Sequence, residues 1–258
     1  MFTTAFWGEL IGSFTLIAFG CGINMNLSLK KTYGSTNVGP LAGALAWGMA
    51  VSMAVIVSSP FATGGHFNPA VTIGMAVAGT FAWGNVASYI IAQVIGSLIG
   101  AIAVWFHYKK HFDATEDPAP KLGVFATGPA IKSTVHNFYG EMFATFFLVF
   151  VCLCMLTPKL TSLDGQDLGL VSLGALGCLT VGFLIFAIGI AFGGTTGFAL
   201  NPTRDLMPRI AHAILPIKGK GGSNWGYAWL PVVAPIVGGV IAGLLYTVLK
   251  DNIVTLWG

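Results

Sequence analysis

Two asparagine–proline steps, Asn68-Pro69-Ala70 and Asn201-Pro202-Thr203, are the most chemically specific features of the sequence. An Asn side chain is among the best N-caps, because its oxygen accepts from the first backbone N–H groups of a helix, and Pro is favoured at the first helical position. Each step therefore predicts a helix start. Ahead of them lie the runs Thr63-Gly64-Gly65-His66 and Gly193-Gly194-Thr195-Thr196-Gly197, which predict extended, non-helical backbone. Arg204 follows in the first turn of the second helix, where the positive end of the helix dipole disfavours a cation. It is adjacent to Asp205, but neighbouring helical residues do not face each other. The chemistry these residues offer is recognition by amide and guanidinium donors and by backbone carbonyl acceptors. Bond-making chemistry finds no nucleophile–base pair and no metal-ligand cluster, with the histidines scattered at 66, 107, 111, 136 and 212.

The elements that position these groups must be membrane helices. Of 258 residues, 55% are hydrophobic and only 8% charged, against about 25% charged in an ordinary soluble domain. Mean hydropathy is +0.81. A soluble enzyme is excluded, and a net charge of +3 is too small for a nucleic-acid footprint. Six stretches, roughly 5–24, 40–59, 86–107, 137–156, 169–190 and 230–249, are apolar over the length of about 20 residues that a spanning helix needs. Two shorter apolar segments, 68–79 and 202–214, are half that length and begin at the Asn-Pro steps. Glycine, at 35 residues, predicts helices packed closely through small side chains. The only carboxylates inside the predicted spans are Glu9 and Glu141; an ionised carboxylate at mid-membrane costs about 2.5–3.5 kcal/mol, so each needs partners.

The halves repeat. Gly8-Glu9 opens the first span and Gly140-Glu141 the fourth, and Ala92-Gln93-Val94-Ile95-Gly96 in the third span echoes Ala234-Pro235-Ile236-Val237-Gly238 in the sixth. Glu9 precedes Asn68 by 59 residues and Glu141 precedes Asn201 by 60. Three spans per half put the second half in the membrane upside down. The expectation is one channel domain over 1–258, with inverted repeats of about 1–108 and 136–258 joined by the polar connection 109–135. The two short helices would then enter from opposite faces and meet at their positive N-termini. Non-helical backbone is tolerated there only where it is buried in protein or lines a watery path. Cations would be repelled, while a neutral molecule could accept from the Asn amides.

These motifs resemble the aquaporin, or major intrinsic protein, family over nearly the whole chain, and within it the glycerol-facilitator branch. The resemblance implies an all-α fold of six transmembrane helices and two re-entrant half-helices. It implies a selectivity filter of Trp47, Gly189, Phe198 and Arg204, with Trp47 and Phe198 forming an apolar corner and Gly189 leaving the space that a His fills in water-selective members. Pore carbonyls would come from Gly64, Gly65, His66, Gly197, Phe198 and Ala199. Glu9 and Glu141, with Gln93 and Asp205, would support the loops. Asp205, Arg209, Tyr108 and Pro231-Val232 match the glycerol branch. Thr203 departs from the small residue usual after Asn-Pro, and its hydroxyl is expected to bond back into its own helix.

The function implied is passive conduction of glycerol and other small neutral solutes, with some water and without ions or protons. Dihydroxyacetone, urea, peroxide and protonated small acids are further candidate solutes. No cofactor and no metal are implied; a homotetramer in a prokaryotic cell membrane is. An ion- or proton-coupled secondary transporter also uses inverted repeats and broken helices, but here the membrane region offers only Glu9, Glu141 and Arg204 as charges. The family topology puts both termini in the cytoplasm. The loops outside would then hold Lys30, Lys31, Lys109, Lys110, Lys121, Lys132, Arg209, Lys218 and Lys220, and those inside Lys159 and Lys250, against the positive-inside rule. Cys21, Cys152, Cys154 and Cys178 lie in apolar runs and are expected as buried thiols.

Overall fold

The computed structural model describes residues 3–35, 39–61, 63–155, 159–162, 164, 167–170 and 176–250. Its first half contains α1 (Thr4–Ser28), α2 (Gly39–Ser58), the half-length α3 (Pro69–Val77) and α4 (Trp83–Ala114). A short helix, α5 (Pro118–Gly123), interrupts the connection. The second half contains α6 (Thr134–Cys154), α7 (Gly177–Phe192), the short α8 (Pro202–Ile214), a single turn α9 (Trp225–Ala228) and α10 (Leu230–Leu249). Five of these segments are long and apolar enough to cross a membrane, and α7, at 16 residues, is shorter.

Packing repeats across the halves. The helix α1 lies along α4 as α6 lies along α10, and α2 meets α7 between the halves. Each half-helix packs mainly against the long third helix of the other half, α3 on α10 and α8 on α4. Glycine makes the closest of these contacts possible. A Cβ on Gly96 would stand 2.2 Å from the Leu10 carbonyl oxygen, and one on Gly238 2.2 Å from that of Met142. The same backbone-to-backbone approach thus occurs at matched places in both repeats, where any side chain would force the helices apart.

Two boundaries differ from the expectation. The third span continues through Lys109, Lys110 and Asp113 to Ala114, well past 107, because Lys109 and Asp113 form an i,i+4 ion pair of 3.0 Å that supports the extra turns. The fifth was expected over 169–190, yet α7 begins at Gly177 and is preceded by a hairpin of Lys159–Thr161 and Asp167–Leu170. Gly169 has φ +95, a conformation that no right-handed helix accommodates, so the apolar run is longer than the helix it contains. Residues 156 and 171–175, within the predicted spans 137–156 and 169–190, lie outside the described residues. The cysteines form no disulfide; Cys21 and Cys178 are buried and Cys152 and Cys154 half-buried.

Candidate functional site

Both Asn-Pro steps cap helices as their chemistry dictates. Asn68 Oδ1 accepts from the Ala70 N–H at 2.9 Å, and Asn201 Oδ1 accepts from Thr203 N–H at 3.0 Å and Arg204 N–H at 3.3 Å. The amide ends reach across the molecule: Asn68 Nδ2 donates to the Leu200 carbonyl at 3.0 Å, and Asn201 Nδ2 to the Phe67 carbonyl at 2.8 Å. Each amide carries two N–H groups, so each keeps one without a protein partner among the described residues. The half-helices therefore meet N-terminus to N-terminus, locked by a reciprocal pair of bonds.

The strands leading into them are held in an unusual backbone. Phe67 (φ +47) and Leu200 (φ +57), each just before its Asn, are left-handed, and so are Gly65 (φ +68) and Phe198 (φ +41) two residues earlier. Such conformations at non-glycine residues cost about 1–3 kcal/mol each and persist only when the surroundings fix them. The two glutamates do that. Glu9 accepts from the His66 N–H at 2.9 Å, the Phe67 N–H at 2.8 Å, the Thr63 hydroxyl at 2.6 Å and Gln93 Nε2 at 2.8 Å. Glu141 accepts from the Ala199 and Leu200 N–H groups, both at 3.0 Å, and from the Thr196 side chain. With the N–H groups of His66, Phe67, Ala199 and Leu200 turned to the glutamates, the carbonyls of Gly64, Gly65, His66, Gly197, Phe198 and Ala199 accept no hydrogen bond from any described residue.

A cavity of about 370 Å³ runs past this region, lined by Asn68, Asn201, Arg204, Trp47 and five of those six carbonyl-bearing residues. Gly197 is the exception. The rest of the wall is largely apolar and includes Leu16, Val51, Val71, Leu148 and Ile185. His66 Nδ1 lies 3.1 Å from Thr72 Oγ1. That hydroxyl already donates to the Asn68 carbonyl at 3.0 Å, so the imidazole nitrogen is the donor and Nε2 is left as the acceptor. Gln93 Nε2 joins the same hydroxyl at 3.0 Å. The Thr203 hydroxyl bonds back to Asn201 Oδ1 at 2.9 Å, in its own helix.

One end of the cavity is built around Arg204. Its guanidinium carbon stands 4.1 Å from the centroid of the Trp47 ring, and Nη1 donates to the Phe125 carbonyl at 3.2 Å. Arg204 is not paired with Asp205. That carboxylate instead forms a fully buried ion pair with Arg209 at 2.7 Å and accepts from the Thr127 N–H and hydroxyl at 2.7 and 2.6 Å. Arg209 in turn donates to the carbonyls of Thr127 and Ser223, tying two loops to α8. Gly189 departs from the expectation of open space. A Cβ there would meet the Ala44 Cβ at 2.9 Å and the Phe198 ring at 3.2 Å. The room beside Gly189 has been taken by the Phe198 ring.

Sequence reasoning did not find Thr63, Thr72, Asn24, Phe125 or Thr127. A signal existed for the first, since Thr63 and Thr196 stand five residues before their respective asparagines. Phe125 and Thr127 act through carbonyls or loop contacts that no motif encodes.

Known proteins resemble this chain closely. The family model for the major intrinsic protein matches residues 1–246. A glycerol uptake facilitator protein of Bacillus subtilis (strain 168) is 48% identical over 249 residues, spanning 94% of this chain and 84% of that one. Glycerol uptake facilitator protein 3 of Lactiplantibacillus plantarum is 46% identical over 242 residues, spanning 94% and 95%. In three dimensions the aquaglyceroporin from Plasmodium falciparum superposes with a TM-score of 0.79 at 31% identity, covering 98% of both chains. Apolar spanning helices, an end-to-end sequence match and a shared three-dimensional architecture lead to one assignment: this multi-pass membrane protein belongs to the major intrinsic protein family.

Proposed function

We propose that the chain is a passive channel that conducts glycerol and other small neutral solutes, with some water, and excludes ions and protons. One observation carries the reading furthest: carbonyls from both loops without protein partners, and a spare N–H on each asparagine, belong to residues along a single cavity whose remaining wall is largely apolar. Backbone carbonyls without protein partners must be met by whatever occupies the cavity. A linear polyol fits that wall, with hydroxyls to exchange hydrogen bonds along one edge and a carbon backbone to meet the apolar side. Relatives named as glycerol uptake facilitators point to the same solute. The half-positive charges of two helix N-termini, together with Arg204, oppose protons and cations.

Trp47, Phe198 and Arg204 form the filter in this reading, with Gly189 acting by seating Phe198. Glu9, Glu141, Gln93 and Asp205 hold the loops. The assembly is a homotetramer in the cell membrane with both termini cytoplasmic, and water, dihydroxyacetone, urea, peroxide and protonated small acids complete the solute range. The excess of outward lysines is partly accounted for by bonds within the protein. Arg209 is consumed by Asp205, Lys121 by the Lys218 carbonyl at 2.6 Å, and Lys220 by the carbonyls of His212, Ala213 and Leu215 at the end of α8.

Stopped-flow light scattering on proteoliposomes tests the proposal. Glycerol flux should rise in proportion to the gradient and ignore an imposed proton gradient. Saturation at low concentration, or coupling to protons, would identify a transporter instead.

A further inference from the structure

We infer that Asn24 is a positioning residue for the filter, fixing the Trp47 ring against Arg204; the inference rests on the channel reading above. Asn24 lies on α1 and belongs to neither Asn-Pro step. Its Oδ1 accepts from the Trp47 indole N–H at 3.0 Å, and its Nδ2 donates to the Val124 carbonyl at 3.4 Å. Both neighbours are single-purpose, since an indole N–H can only donate and a carbonyl can only accept. The amide therefore has one workable orientation, and it links the ring to the loop.

That loop is the one that holds Arg204. Val124 and Phe125 are both fully buried, and the Phe125 carbonyl receives Arg204 Nη1 at 3.2 Å. The contacts close into a circuit: Asn24 to Trp47, Trp47 under the guanidinium at 4.1 Å, Arg204 to Phe125, and Val124 back to Asn24. Trp47 and Arg204 come from different halves of the chain, and nothing covalent sets their spacing. Asn24 supplies that link from a third helix.

Two consequences follow for selectivity. The indole N–H is occupied, so Trp47 meets a solute only with apolar ring atoms, and Arg204 provides the side-chain donors at that end. The ring is also held against the cation. Without Asn24 the indole would carry an unpartnered buried N–H, which the ring would satisfy by turning toward the passage. A solute that must slide its carbon backbone over the ring would feel this turn, whereas water, which needs less width, would feel it less.

The experiment compares Asn24→Leu with wild type in proteoliposomes, reading the ratio of glycerol to water permeability by stopped-flow light scattering. A ratio does not depend on how much protein inserts correctly, so a partial folding defect leaves it interpretable. The same substitution is then made on Trp47→Phe, which has no N–H for Asn24 to hold. Loss of one buried hydrogen bond at the filter should lower the ratio in N24L by roughly 3–10-fold. On the W47F background the same change should leave the ratio within about a factor of two, because coupled residues are non-additive. A ratio unchanged in N24L overturns the inference, and so does an equal shift on both backgrounds. Wild-type protein that passes no glycerol would bring down the channel reading itself, a result distinct from either.

Discussion

The two repeats use the same backbone device for different ends. In the first, the residue after Ala70 is Val71, and the next, Thr72, gathers His66, Gln93 and the Asn68 carbonyl about one hydroxyl. At the matching places the second repeat carries Arg204 and Asp205, an exposed-type cation and anion drawn into the interior. The first loop likewise has Gly65 where the second has Phe198, both at positive φ. One repeat is neutral and unstrained at these positions, while the other holds charge and strain. Symmetry builds the meeting point of the half-helices, and departure from symmetry puts Phe198 and Arg204 on the cavity wall.

Breaking the charged network should have the largest effect. Asp205→Leu leaves Arg209 buried without its partner, and loss of one member of a buried pair costs about 3–5 kcal/mol. Thr72→Val at the matched place removes only neutral bonds, at about 1–2 kcal/mol. Thermal unfolding of the purified protein in detergent should rank the two in that order. Equal losses would mean that the second repeat gains nothing special from its ion pair.

Arg204→Val makes the second repeat imitate Val71. Permeation of methylammonium should rise by roughly tenfold over wild type once the fixed charge is gone. An unchanged selectivity profile in vesicle flux assays would remove Arg204 from the filter. Gly189→His should reduce glycerol flux much more than water flux, but by displacing Phe198 and Ala44 rather than by filling a gap. Equal losses of the two fluxes would count against that geometry.

Phe198→Gly restores the residue type of the first repeat. Relief of a left-handed phenylalanine should offset part of the packing it loses, leaving stability within about 1 kcal/mol of wild type. The solute range should nevertheless widen to longer polyols, read as swelling in erythritol or xylitol. Gly65→Ala, the reverse comparison, should destabilise by about 1 kcal/mol because its φ of +68 penalises any Cβ. Thr203→Ala should be the mildest change. Asn201 Oδ1 keeps two backbone donors after the hydroxyl is lost, so stability and flux should stay within about 0.5 kcal/mol of wild type.

Much of this was legible in the chain. The expectation that Asn68 and Asn201 cap two opposed half-helices follows from local rules, because N-capping by Asn and the placement of Pro depend on a few consecutive residues. For Glu9 and Glu141 the residues themselves showed only that a carboxylate inside an apolar span must find donors, while the loops as their source came from the family resemblance. Boundaries were less legible where composition and conformation part company, as at Gly169. Gly189 was misread for a related reason. Sequence shows that a side chain is missing there, but not that Phe198 from a distant segment has moved into the room.

The sequence alone determined what depends on composition and on neighbours in the chain: a bilayer-spanning chain, an inverted repeat and two capped half-helices converging near the middle. Tertiary structure decided the rest. Asn68 bonding to Leu200, Arg204 bonding to Phe125, and Asn24 accepting from Trp47 are contacts between distant residues whose choice of partner no local pattern encodes. The physical reason is that buried donors and acceptors must be paired by whatever the fold brings within about 3 Å, and that neighbourhood exists only after the helices have packed.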